Sequence, residues 1–152
     1  MKEAMIENQL RQAEELCKKR NARLTPQRLE VLRLIAQQKS AISAYNLLDL
    51  LRQTEPQAKP PTIYRALDFL LEQGFIHRIE STNSFVLCHH FSTPSHNSVF
   101  FICNRCGRVQ EYTTESIKHI LHRMAIASGF SITHNIVEPH GLCLTCIKVQ
   151  AY

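Results

Sequence analysis

Apolar residues recur at helical spacing through the first half of the chain and at strand spacing through much of the second. Ile6, Leu10, Ala13 and Cys17 fall at i, i+4, i+7 and i+11, which predicts a helix over 3–20. Cys17 lies on that stripe and reads as core rather than as a ligand. Thr25-Pro26 is an N-cap followed by proline at the first helical position, and Leu29, Leu32, Ile35 and Ala36 share a face of the helix it opens. A third helix follows Ser43, with Ala44, Leu47, Leu48 and Leu51 on one side, and Gln53-Thr54-Glu55-Pro56 ends it. Lys59-Pro60-Pro61 forces an extended approach, because a residue before proline avoids the α region. Pro61 then starts a fourth helix that ends at Gly74.

After Gly74 the period changes. Residues 75–80 and 85–88 read as two strands joined by the turn Ser81-Thr82-Asn83-Ser84. Helices closed by a β-hairpin are the order of a winged helix-turn-helix. Residues 89–98 are rich in His, Ser and Pro and read as a loop. The remainder predicts a strand at Val99–Cys103, a strand at Arg108–Tyr112, a helix at Glu115–Ser128 and a strand at Phe130–Val137. Ile117, Ile120, Leu121 and Met124 give that helix one apolar face. The fold class is therefore α+β. We divide the chain into a winged-helix DNA-binding domain (1–84), a hinge (85–98) and a small α/β dimerisation and zinc-binding domain (99–152). A domain this small is marginal for a core, and a metal staple plus dimerisation are the usual remedies.

Bulk properties narrow the partners. No apolar run is long enough to span a membrane, and the N-terminus lacks an apolar signal core, so a cytoplasmic protein is expected. The net charge of +5 favours an acidic partner such as DNA. Residues 1–83 carry +3 and residues 84–152 carry +2, so charge is not segregated and the nucleic-acid case rests on architecture.

Chemistry concentrates in the cysteines. Cys103-x-x-Cys106 and Cys143-x-x-Cys146 form two identical knuckles separated by 36 residues. Each knuckle sets two sulfurs on one side of a tight turn, and two knuckles supply the four thiolates of a closed structural zinc site. A disulfide within a two-residue gap is strained, and neither pair sits in a thioredoxin-like βαβ pattern. On the fourth helix Ile63, Leu67, Leu70 and Leu71 form the buried stripe, and Arg65 points about 200° away from Ile63. An arginine in the first two turns of such a helix can pair with guanine O6 and N7. Tyr64 and Thr62 flank it, Tyr45 lies off the stripe of the third helix, and Lys59 stands at the entry; these are the further DNA-contact candidates. His77, Cys88, His96 and Glu111 come from four segments. Two imidazoles, a thiolate and a carboxylate suit tetrahedral zinc, although spacing alone favours each being a separate polar group. His89, His90, His134 and His140 are rival donors, and His119 and His122 read as surface.

These residues resemble the ferric uptake regulator family of bacterial metal-sensing repressors. The resemblance is carried by Arg23-Leu24-Thr25-Pro26-Gln27-Arg28, by Pro60 to Leu67, by His89 to His96 running into Cys103-Asn104-Arg105-Cys106-Gly107, and by Gly141 to Cys146. It implies a homodimer that binds double-stranded operator DNA, with no membrane or small-molecule substrate. It implies two Zn2+ per subunit: structural zinc on the four paired cysteines, and a regulatory zinc carried over to His77, Cys88, His96 and Glu111. Iron-sensing relatives lack a thiolate at the place of Cys88, so the resemblance is to zinc-sensing members. The rivals are a family sensor of iron, manganese or peroxide and, from another class, a zinc hydrolase with His77, His96 and Glu111 as a His2Glu site.

Overall fold

Thr25 ends an extended segment and begins a helix: its Oγ accepts from the Arg28 N–H at 3.2 Å, and Pro26 supplies a first-turn residue with no N–H to satisfy. Ser43 does the same through the Asn46 N–H at 3.2 Å. The computed structural model describes residues 2–89, 91, 98–132 and 137–150, which form two compact units, Met1–Phe91 and Ser92–Tyr152.

The first unit contains α1 (Lys2–Lys19), α2 (Pro26–Ala36), β1 (Ile42–Ser43), α3 (Ala44–Leu51), α4 (Pro60–Gln73), β2 (Ile76–Ile79) and β3 (Ser84–Leu87). Helix α4 starts one residue earlier than expected. Its N-cap, Lys59, makes no side-chain cap bond, and none is needed at two of the orphan positions because Pro60 and Pro61 have no N–H. Gly74 ends it at φ +78°, a left-handed conformation that glycine adopts without penalty. The core is built from one stripe of each helix: Ile6, Leu10, Ala13 and Cys17 of α1, Val31, Leu32 and Ile35 of α2, Leu47, Leu48 and Leu51 of α3, and Ile63, Leu67 and Leu70 of α4. Phe75 is fully buried beneath them and stacks obliquely on Phe91, ring centres 5.0 Å apart. Strands β2 and β3 pair antiparallel with His77 opposite Val86, and the two-residue β1 joins the far side of β3. Strand β1 is too short to leave a period in the sequence.

The second unit contains β4 (Ser98–Cys103), β5 (Val109–Thr113), α5 (Glu115–Ser128), β6 (His140–Gly141) and α6 (Leu144–Gln150). Its sheet has the order β5-β4-β6, antiparallel on one side of β4 and parallel on the other. The strand expected at Phe130–Val137 is not formed at residues 130–132, and residues 133–136 lie outside the described residues. The reason is the end of α5. Gly129 turns left-handed at φ +68°, and the Phe130 N–H bonds back to Ala125 O at 2.8 Å, so it is unavailable to a sheet. Val137 makes only a bridge to Val99, and β6 completes the sheet. The apolar face of α5 is largely in water: Ile120 and Met124 are exposed, Ile117 and Leu121 are half-buried, and Ala125 is the buried residue of that helix.

Leu70 is fully buried among these stripes. Truncation of Leu70 to alanine is expected to cost about 2–5 kcal/mol of first-unit stability. Thermal unfolding checks this.

Candidate metal centre and nucleic-acid interface

Parallel pairing of β6 with β4 sets Cys103 opposite Gly141 and brings the two knuckles together. The Asn104 N–H donates to Gly141 O at 2.8 Å and ties one knuckle to the other. In the first knuckle the Gly107 N–H closes the turn on Cys103 O at 3.0 Å, and the Cys103 N–H donates to Arg108 O at 2.9 Å. Gly107 takes φ +76°, which a side chain resists. In the second, Cys143 precedes α6 and Cys146 lies in its first turn.

The four sulfurs lie within 4.8 Å of one another. Cys106 Sγ and Cys143 Sγ are 3.7 Å apart. A tetrahedron with metal–sulfur bonds of ~2.3 Å has edges of about 3.8 Å, whereas a disulfide needs ~2.05 Å. All six cysteines are free thiols. Donor chemistry and spacing therefore fit a structural zinc ion.

The local field prepares the site unevenly. Backbone N–H groups of Cys106 and then Cys143 point at the Cys103 sulfur and lower its pKa to about 5. The Cys146 N–H is the main group lowering Cys143. Cys146 is pushed up to about 12, first by burial and then by the crowding thiols of Cys143, Cys103 and Cys106.

The residues expected to form a second site are distributed over both units. His77 sits on β2, half-buried, and Cys88 follows β3 with its side chain fully buried. The Cys88 N–H donates to Phe75 O at 2.8 Å, which anchors it to the end of α4. A ring nitrogen of His77 and the Cys88 sulfur lie within 4.8 Å of each other. In the second unit Glu111 stands on β5 opposite Phe100, half-buried, and accepts from Ser98 Oγ at 3.0 Å. His96, His90 and His134 lie outside the described residues. His89, His119 and His122 are exposed. His140 is exposed and engaged with Asn104 Oδ1 at 3.2 Å and Glu138 at 3.7 Å.

On α4 the buried residues are Ile63, Ala66, Leu67 and Leu70, while Leu71 is only half-buried. Arg65 is exposed on the opposite side, Tyr64 is 55% exposed, Thr62 is half-buried and Lys59 is exposed. Tyr45 on α3 is 74% exposed, a large ring with no core to fill. An arginine, a tyrosine and a lysine left in water around the start of α4, with a second tyrosine exposed at the start of α3, are side chains suited to a nucleic-acid groove.

Comparison with known proteins gives four findings. The family model described as the ferric uptake regulator family matches residues 19–140. The chain is 60% identical over 151 residues to the zinc uptake regulation protein of Escherichia coli (strain K12), covering 99% of this chain and 88% of that protein. Its structure is similar to that of a zinc uptake regulator complexed with zinc and DNA, with a TM-score of 0.93, 60% identity, and coverage of 97% of this chain and 98% of that one. It is also similar to holo XcZur, at a TM-score of 0.84 and 43% identity over 91% of this chain and 96% of that one.

The uneven thiols set a proton count. Metal binding must displace the protons that remain on the ligands. Cys103, at about 5, is already a thiolate at neutral pH, while Cys146, at about 12, still holds its proton. Zinc binding near neutral pH is thus expected to release fewer than four protons. The affinity should fall as pH drops, steepening near about 5 where Cys103 also protonates. Calorimetry in buffers of different ionisation enthalpy measures both.

Proposed function

The chain belongs to the ferric uptake regulator family, and we propose that it is a zinc-responsive transcriptional repressor, most like the zinc uptake regulators, that binds operator DNA as a homodimer. It is a regulator and not an enzyme, as its relatives are. The observation that carries the reading is within the first unit. The helix presenting Arg65 runs directly into the hairpin that carries the His77 and Cys88 donor pair. The base-reading candidate and two of the metal donors thus share one compact unit.

Two zinc ions per subunit have distinct roles in this reading. Cys103, Cys106, Cys143 and Cys146 hold the structural ion, supported by the sulfur spacing. His77, Cys88, His96 and Glu111 hold the regulatory one. Bound there, zinc supplies a positive centre that draws imidazole, thiolate and carboxylate donors together. The wing contributes His77 and Cys88, the segment that follows it carries His96, and β5 contributes Glu111. Donors from both domains favour one arrangement of the domains over others, and only such differential affinity shifts a population. Moving it from 1:99 to 99:1 takes roughly 5.5 kcal/mol. A zinc site's range of about 10–16 kcal/mol covers that. The buried Cys88 thiolate selects against hard cations such as magnesium or calcium.

The dimer is supported by the second unit's surface. Phe101, Tyr112, Ile120, Met124, Phe130 and Leu144 are all exposed, and large apolar side chains left in water are the kind that an interface covers. Two copies on a near-palindrome place their α4 helices about one DNA turn apart, ~34 Å. Lys59, Thr62, Tyr64 and Tyr45 fix the register on phosphates and sugars, and Arg65 reads a base. No helix of the described residues is long and apolar enough to cross a membrane. Thiolate ligands need a reducing compartment, so we place the protein in the cytoplasm with uptake genes as its targets.

Titration of zinc while measuring operator binding tests the switch. Cys88→Ser is expected to remain a folded dimer with its structural zinc, yet to lose zinc-dependent binding by more than the ~10–100-fold typical of altered outer-shell partners. Full zinc response in that variant would rule out the regulatory site. Arg65→Ala is expected to keep both metals and weaken operator binding by about 1–3 kcal/mol while relaxing base preference. Competition between matched and mutated duplexes checks it.

A further inference from the structure

The Arg23–Arg28 segment has so far supplied only a helix cap, yet Arg28 has a second task. Its guanidinium carbon lies 4.2 Å from the centre of the Phe69 ring on α4. Its Nη1 donates to Arg23 O at 2.7 Å. One half-buried side chain therefore ties the loop before α2, α2 itself and the middle of α4 together. A cation over an aromatic face is attractive, and more so when partly desolvated.

Arg20, just past α1, grips the other end of the same helix. Its Nη1 donates to Gln73 O at 2.7 Å and approaches Gln73 Oε1 at 3.3 Å. The last carbonyls of a helix have no donor within it and stand at the negative end of its dipole, so a cation is favoured there. The Arg20 guanidinium carbon is also 5.7 Å from the centre of the Phe75 ring. Both arginine charges act on the buried Cys17 thiol, opposing the rise that burial causes.

The ring held by Arg28 is one turn beyond Arg65, since residues four apart on a helix stand one above the other. A roll of α4 that releases Phe69 swings Arg65 off its base. We propose that Arg28 and Arg20 are positioning residues for DNA recognition: a two-point brace that sets the roll and axial placement of α4 and so aims Arg65. The proposal rests on the reading of α4 as the base-reading helix. It assigns these arginines a role opposite to the ordinary one for arginine in a DNA-binding domain, which is direct contact with phosphate.

The test uses the zinc-loaded dimer and a duplex that the wild-type protein selects from a random-sequence pool. Arg28→Leu is expected to weaken binding on the order of tenfold, as for a partly lost bidentate base contact. It should narrow the preference for the selected over a scrambled duplex and leave zinc content unchanged. The slope of log affinity against log salt should stay at the wild-type value, because no phosphate contact is lost. Phe69→Leu should give a similar loss, and the double variant little more, since both remove one contact. Arg20→Gln probes the other end and should likewise weaken binding at constant slope, which keeps the test open should Arg28→Leu unfold. The brace is overturned by unchanged affinity in the arginine variants, by additive losses at Arg28 and Phe69, or by a slope reduced by ~0.9 for each phosphate contact removed. Arg65→Ala run in parallel separates the failures. Wild-type affinity in Arg65→Ala overturns the reading of α4 and the brace with it. A loss there without one in the arginine variants overturns the brace alone.

Discussion

Four thiols drawn within 4.8 Å of one another cannot all ionise side by side without a cation among them. Backbone N–H groups lower Cys103 to about 5, while burial and then the neighbouring thiols push Cys146 up to about 12. A divalent cation would resolve the conflict, and in the proposed reading it would also staple the second unit. Its sheet is narrow, its parallel pairing covers only two residue pairs, and several large apolar side chains remain in water. The sulfurs couple the end of β4 to the start of α6, which hydrophobic burial at this size does weakly. The same shortage of core leaves apolar side chains such as Met124 and Phe130 exposed.

The first unit follows a different logic. It has a full hydrophobic core, and its helices begin and end on local signals: Thr25, Ser43, the two prolines of α4 and Gly74. A helix that buries Ile63, Ala66, Leu67 and Leu70 must turn Arg65 outward, because the remaining arc is all that solvent can reach. Backbone bonding then carries function along the chain. The Phe75 N–H returns to Leu70 O at 3.0 Å and the Cys88 N–H to Phe75 O at 2.8 Å, so the end of the hairpin is stitched to the end of α4. Arg20 and Arg28 fasten that helix from the other side through a carbonyl and an aromatic ring.

Most of the elements were legible because their signals are local. Helical stripes, caps, the strand pair around Asn83 and the Cys-x-x-Cys knuckles are short-range patterns. The expected strand at 130–132 failed for an equally local reason, the return of the Phe130 N–H to the α5 terminus. Strands β1 and β6, two residues each, exist only because β3 and β4 offer them an edge, and no period marks so short a run. The apolar face of α5 read as core, yet much of it is exposed, since periodicity reports which side is apolar and not what covers it. The donor set His77, Cys88, His96 and Glu111 was named through resemblance, because spacing alone left each as an ordinary polar group.

The sequence by itself determined which side of each helix is buried, the pairing of four cysteines into two knuckles and the outward direction of Arg65. Those follow from residue chemistry and from the fixed period of helix and turn. Only the tertiary structure decided that the two knuckles meet, that the His77 ring and the Cys88 sulfur stand close together, and that Arg20 and Arg28 turn inward onto α4. These depend on contacts between residues distant in sequence: long flexible side chains take the partner that packing brings near, and no local pattern encodes that choice.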